Sequence, residues 1–234
     1  MAASDLTLSG WALILGASSG FGAATGQALA RAGMDIVGIH LDPKATLPRA
    51  KAVQADLEAL GRKALFINMN AADARKRARA VERMKEEGVK VNVLLHSLAF
   101  GSLRPYVAET PDESLDQKQM EMTLDVMAHS LVYWVQDLAW ADLFADDARV
   151  YAMTSEGNQR VMPTYGAVSA AKVALESHIR QLSYELAPRN IKVNAIQAGV
   201  TDTPALRMIP GHQRVIEGTL SRNPYHRLTQ PEDV

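Results

Sequence analysis

The sequence predicts an α/β fold: a single doubly wound parallel sheet with helices on both faces. Three observations carry that expectation. Six short apolar runs alternate with longer stretches whose apolar residues recur at helical spacing. The first run stops at a glycine-rich turn, and a helical stretch follows it directly. The length, 234 residues, suits one domain spanning residues 1–234, with no internal repeat, low-complexity tract or long charged linker to divide it.

Trp11–Leu15 is apolar throughout, as a strand buried on both faces must be. Gly22–Arg31 carries alanines and Leu29 at helical spacing and closes at Gly33. Asp35–His40 reads as the second strand. Leu47–Leu60 is helical and ends at Gly61, a C-cap residue. Ala64–Met69 is the third strand, and Asp73–Glu87 a helix that opens on an acid and closes at Gly88. Val91–His96 is the fourth strand. After Pro111, one long helical stretch is expected from about Asp112 to Phe144. Arg149–Thr154 is the fifth strand, Tyr165–Leu186 a helix stopped by Pro188, and Ile191–Gln197 the sixth strand. Right-handed crossovers between such strands make the arrangement Rossmann-type.

Composition narrows the function. Lys and Arg number 25 against 26 Asp and Glu, a net charge of −1, so there is no field to gather nucleic acid or an anionic membrane. The absence of cysteine excludes a disulfide framework, a thiolate metal site and a cysteine nucleophile. No apolar run approaches the roughly 18 residues of a membrane span. The N-terminus, MAASDLTLSG, has no basic patch followed by an apolar core, so it is not a secretory signal. A cytoplasmic domain is expected. His96 and His129 have no carboxylate at ligand spacing, so both read as structural and no metal is expected.

The turn Gly16-Ala17-Ser18-Ser19-Gly20-Phe21-Gly22 joins the first strand to the first helix. One glycine permits the tight turn, one admits a pyrophosphate to the backbone, and one lets helix and strand pack closely. A helix N-terminus at that point offers free N–H groups to phosphates. Dinucleotide binding is the expectation, with Gly16, Ser18, Ser19, Gly20, Phe21 and Gly22 in contact. Asp42 lies 20 residues beyond Gly22, about where an acid takes the ribose 2′-OH of NAD. Lys44 beside it suits a 2′-phosphate, and Asp42-Pro43 also reads as a plain chain turn. NADH and NADPH both stay open.

Tyr165 and Lys172 are seven residues apart on one helix, two turns, and so point to the same side. A lysine ammonium there favours phenolate and binds ribose hydroxyls. A tyrosine so placed donates to a developing oxyanion. The fifth strand ends just upstream at Thr154-Ser155, on the carboxyl edge of the sheet where open α/β folds bind ligands.

At these residues the chain resembles the short-chain dehydrogenase/reductase family along nearly its whole length. That family's usual Tyr-x-x-x-Lys is absent, because Val168 stands four before Lys172. The Tyr-x6-Lys spacing is instead similar to the enoyl-acyl-carrier-protein reductase branch. His96-Ser97-Leu98-Ala99-Phe100, Asp125 to Leu131, and Gln197 to Thr203 look like that branch's segments, and Ser102-Leu103-Arg104-Pro105 resembles its enoyl reductase III subgroup. Ser155 occupies the place of a second tyrosine that many enoyl reductases carry and this subgroup lacks.

The resemblance implies reduction of trans-2-enoyl thioesters on acyl carrier protein by NADPH or NADH, in fatty acid synthesis. Tyr165 would bond the enolate oxygen. Lys172 would hold the nicotinamide ribose and lower the tyrosine's pKa, with Ser155 as a third catalytic residue. Asn70, Ser97, Leu98, Ala99, Thr154, Gly199, Val200 and Thr203 would complete the cofactor site. Residues 204–227 would form an apolar substrate lid. Leu124, Leu131, Trp134, Val135, Leu138 and Leu143 suggest a subunit interface as well as core, hence a homotetramer. Relatives continue into a further helix and a seventh strand, so a C-terminal strand is expected to be missing after Val234. Two rival readings remain: a ketone or hydroxyl oxidoreductase for 3-oxoacyl thioesters or hydroxysteroids, and a non-catalytic dinucleotide sensor.

Overall fold

The computed structural model describes residues 7–234. The N-terminal reading above falls partly on residues 1–6, which lie outside the described residues. The described residues form one six-stranded parallel sheet in the order β3-β2-β1-β4-β5-β6. The strands are β1 (Trp11–Leu15), β2 (Asp35–His40), β3 (Ala64–Asn68), β4 (Val91–His96), β5 (Phe144–Thr154) and β6 (Lys192–Gln197). The helices are α1 (Gly20–Arg31), α2 (Leu47–Ala59), α3 (Ala74–Glu86), α4 (Gln117–Leu124), α5 (Ser130–Trp140), α6 (Gly166–Leu186), α7 (Pro204–Arg207) and α8 (His212–Arg222).

The period of two in β1 explains the two-sided core. Trp11, Leu13 and Leu15 enter a cluster with side chains of α3, α5 and α6. Ala12 and Ile14 point the other way, into a cluster with Ala30 of α1 and Val53 and Leu57 of α2. Every residue of β1 is therefore buried, which is why its sequence shows no polar alternation. The strand order reverses between β1 and β4, so their carboxyl ends diverge into the crevice expected of a doubly wound sheet. Among the described residues no helix is long and apolar enough to cross a membrane.

The long helix expected from Asp112 to Phe144 is the main correction. Asp116 caps a new start at Gln117, with Gln119 closing a capping box. Asp125–His129 then forms one wide turn of π-helix between α4 and α5. α5 ends at Trp140 because Asp142 adopts a left-handed φ of +52° and the Leu143 N–H returns to the Leu138 carbonyl at 2.9 Å. Asp142 performs a role that usually signals itself as glycine. Phe144 consequently begins β5, which pairs with β4 through a register irregularity. Smaller shifts move the start of α1 two residues earlier, to Gly20, and the start of β6 to Lys192.

Trp134 is fully buried, and its indole N–H donates to the Ala71 carbonyl at 2.9 Å. Trp134→Phe keeps an aromatic ring but strands that carbonyl. A loss of about 1–3 kcal/mol is expected in urea unfolding, and an unchanged midpoint would discount the bond.

Candidate active site

The glycine turn is shaped by close approach. Gly16 takes φ +94°, and a Cβ there would lie 2.5 Å from the Ser97 carbonyl oxygen. A Cβ on Gly22 would overlap the Gly16 carbonyl. The first contact presses the turn against the end of β4, and the second presses α1 onto the turn. Ser19 caps α1 with an extended backbone and, among the described residues, makes no side-chain cap bond. The first-turn N–H groups are thus left for an anion. The Thr203 methyl carbon would lie 3.5 Å from a Cβ on Gly20, which brings the loop after β6 over the turn. The Thr203 hydroxyl accepts from the Leu206 N–H at 3.2 Å and caps α7. This cradle, open at a helix N-terminus and closed to side chains, fits a pyrophosphate. The Phe21 side chain packs against the Ala12–Ile14 core cluster, so only its backbone is offered to the turn.

Asp42 is folded inward rather than presented at the surface. Its carboxylate lies 2.9 Å from His40 Nδ1 and 3.7 Å from the Arg49 guanidinium. Its backbone N–H and carbonyl both pair with the Asn68 amide, at 3.0 and 2.8 Å. Burial pushes the Asp42 carboxyl up, but hydrogen bonds from Thr46, Ser18 and His40 together hold it below its ordinary value. It is a buried, ionised residue tied to the glycine turn through Ser18, more than a chain turn and less than an open acceptor. Lys44 is exposed beside it. Asn70 follows β3 by two residues, and its Oδ1 accepts from the Ala72 N–H at 2.9 Å.

Tyr165 and Lys172 converge with the ends of β4 and β5. The Tyr165 hydroxyl lies 3.4 Å from Ser155 Oγ, which itself accepts from the Gly157 N–H at 3.1 Å. A Cβ on Gly157 would sit 2.6 Å from the Tyr165 ring, so glycine there admits the phenol. Thr164, just before Tyr165, holds a left-handed φ of +63°, a strained state for a β-branched residue. Lys172 is 5 % exposed; its ammonium donates to the Met153 carbonyl at 2.7 Å and reaches the Leu98 carbonyl at 3.4 Å. Burial pushes Lys172 down to about 8, with Glu176 opposing the fall. Burial pushes Tyr165 up, with the Ser155 bond opposing. The expected lowering of the phenol's pKa by Lys172 is thus not what this site displays. The ammonium is turned to two carbonyls, and burial dominates at the ring.

His96 is fully buried behind this group. Its Nε2 lies 2.9 Å from Ser130 Oγ, and the Ser130 hydroxyl donates to the Val126 carbonyl at 2.7 Å. Nε2 therefore carries the ring hydrogen, and Nδ1 has no hydrogen-bond partner among the described residues. Burial and the Lys172 charge push His96 down to about 3, so the ring is neutral. Among the described residues no group of three or more side chains could hold a metal.

Three expected cofactor residues have partners within the chain. The Thr154 hydroxyl donates to the Glu176 carboxylate. Val200 and Gly199 are clasped from the C-terminal side: Thr229 donates its N–H to the Val200 carbonyl at 3.0 Å and leaves no room for a Cβ on Gly199. Three features were absent from the sequence reading: the Met153 carbonyl, Gly157 and Glu176. Glu176, four residues beyond Lys172, sits on the same helix face and was the legible one.

The Lys172 shift fixes the sign of a pH dependence. Its folded value of about 8 lies below the ordinary 10.5, so between these the unfolded chain holds a proton that the folded chain has released. The lysine's contribution to stability is full above pH 10.5 and lost as pH falls through about 8. Lys172→Met removes that titration. Urea unfolding at several pH values should show wild type gaining on Lys172→Met across this window, and a flat difference would refute the shift.

Comparison with known proteins identifies a family and a shared fold. A family model described as Enoyl-(Acyl carrier protein) reductase matches residues 16–234. An enoyl-(acyl-carrier-protein) reductase (NADH), FabI, of Aquifex aeolicus is 26 % identical over 151 residues, 64 % of this chain and 55 % of that protein. The match thus spans about half the length of that curated relative. A solved short chain dehydrogenase from Burkholderia cenocepacia J2315, in complex with NADP, superposes with a TM-score of 0.78 and 28 % identity, covering 95 % of this chain and 85 % of that one. A solved NADH enoyl-(acyl-carrier-protein) reductase from Aquifex aeolicus reaches 0.84 at 22 % identity over 97 % and 86 % of the two chains, which shows a shared fold. The family match runs from the first glycine of the turn through the Tyr165–Lys172 helix to Val234, and the chain belongs to the enoyl-(acyl carrier protein) reductase family.

Proposed function

We propose that this chain reduces trans-2-enoyl thioesters carried on acyl carrier protein. The observation that carries the reading is the buried Tyr165 hydroxyl facing Ser155, with Lys172 two helical turns on and Val168 in the place of a nearer tyrosine partner. A bound reduced nicotinamide supplies the hydride. Reduction at the β-carbon puts negative charge on the thioester oxygen. Tyr165, kept protonated by burial, donates to that oxygen. Without substrate the phenol's single O–H points to Ser155. Once it turns to the thioester oxygen, the Ser155 hydroxyl, which accepts from the Gly157 N–H, donates back to the phenol oxygen and orients it. Lys172 has three N–H donors and uses two on Met153 and Leu98, so one is left for a ribose hydroxyl. Gly16, Ser18, Ser19, Gly20, Gly22 and Thr203 hold the pyrophosphate end, with Ser97–Ala99 along the ribose. α7 and α8, within the 204–227 lid, would cover the acyl chain with Leu206, Val215 and Ile216.

For the cofactor, the buried Asp42 charge favours NADH. An ionised carboxylate tied to Ser18 opposes a second phosphate on the adenosine ribose, and Arg49 offsets only part of it. The names of the Aquifex relatives also specify NADH.

A panel of crotonyl, acetoacetyl and hydroxysteroid substrates with each reduced or oxidised cofactor tests both parts. Crotonyl thioester reduction with NADH preferred is expected; turnover of the ketone or steroid alone would reject the reading, and Asp42→Asn should narrow the NADH preference. Tyr165→Phe should lower turnover on the order of 10²–10³-fold, as loss of one oxyanion donor does, while leaving cofactor affinity intact. Gly157→Ala, which crowds the ring without touching its hydroxyl, should cost on the order of 10–100-fold in turnover.

A further inference from the structure

We propose that Glu176 is a positioning residue for this reduction: its carboxylate clamps both ends of the Thr154–Asn158 turn that sets Ser155 against Tyr165, and places a negative charge one helical turn beyond Lys172. The inference rests on the reading of Tyr165 and Lys172 given above.

One oxygen of Glu176 accepts from the Thr154 hydroxyl and from the Asn158 side-chain amide. Thr154 is the last residue of β5, and Asn158 closes the single turn Glu156–Asn158. Between them Ser155 accepts from the Gly157 N–H at 3.1 Å and meets the Tyr165 hydroxyl at 3.4 Å. The turn is thus held at both ends from α6 and at its centre by its own bond. α6 also carries Lys172, and Tyr165 is its cap. One helix therefore sets the phenol, the ammonium and the serine's platform.

The Asn158 side-chain oxygen Oδ1 is buried with no partner among the described residues. Its amide is turned to give the carboxylate a donor, even at the cost of an unsatisfied acceptor. A hydrogen bond to a charged acceptor outweighs one to a neutral group, which explains that choice.

The charge matters to Lys172. The titratable groups coupled to the ammonium are Glu176 on α6 and His96 on β4, with Tyr165, the cap of α6, two turns away. His96 is neutral, pushed down to about 3, and burial keeps the phenol protonated. Glu176 is left as the charge that supports the ammonium against burial.

Glu176→Gln keeps an oxygen that can accept both bonds and removes only the charge. Glu176→Ala removes both, and Glu176→Asp keeps the charge on a shorter arm. Two readings are taken from pH 6 to 10. One is reduced-nicotinamide affinity by fluorescence. The other is the stability difference from the matching Lys172→Met variant, which needs neither cofactor nor substrate. In Glu176→Gln the alkaline midpoint should move to lower pH. Glu176→Ala should show the same shift and a loss of turnover on the order of 10–100-fold, and Glu176→Asp should restore the midpoint. A merely structural role would leave the midpoint of Glu176→Gln unmoved, and that result overturns the proposal. If the midpoint moves while wild type ignores enoyl thioesters, the charge role of Glu176 stands and the substrate reading falls. If wild type reduces them and the midpoint stays, Glu176 alone is refuted.

Discussion

The buried ammonium of Lys172, bonded to the Met153 carbonyl, is the contact on which the site depends. A charge taken out of water is unfavourable unless its donors are satisfied. Here two of its three are satisfied by carbonyls at the ends of two different strands, with Met153 in β5 and Leu98 just past β4. The bond therefore pins α6 across the carboxyl edge of the sheet. Tyr165 and Glu176 ride on the same helix and take their places from it. The lowered lysine pKa is the residual cost of that burial.

The surrounding parts serve the same edge. The π-turn Asp125–His129 swings the Val126 carbonyl toward Ser130, whose hydroxyl in turn sets the His96 tautomer. That arrangement leaves a neutral imidazole beneath the ammonium, where a charged one would repel it. On the other side of the switch point, Gly16 lies against Ser97 so closely that the glycine turn and the loop after β4 form one wall. The C-terminal segment closes the third side, with Thr229 bonded to Val200. β6 is the outer strand of the described sheet and contributes this loop directly from its end.

Much of this was legible in the sequence because it is local or periodic. Six apolar runs correspond to six strands, most plainly at β1 and β2, which are covered on both faces and so show no polar alternation. The glycine turn was legible because close approaches at Gly16 and Gly22 and a left-handed φ of +54° at Gly20 each favour a missing side chain. Tyr165 and Lys172 were placed together by the pitch of a helix alone. The long helix from Asp112 was overread, because the apolar period continues through Met127 and Leu143 while the stops at Asp116 and Asp142 are made by residues that carry no glycine or proline signal.

The sequence by itself determined the sheet, the cradle and the spacing of the phenol and the ammonium, because each is set by neighbours within a few turns of chain. Tertiary structure decided what those groups touch. Thr154 meets Glu176 across 22 residues, and Lys172 meets Leu98 across 74. Asp42 turned inward because His40, Ser18, Thr46 and Asn68 converge on it. Such partners are fixed only when separate strands end at the same edge, and no periodicity in the chain records which carbonyl or carboxylate will be waiting there.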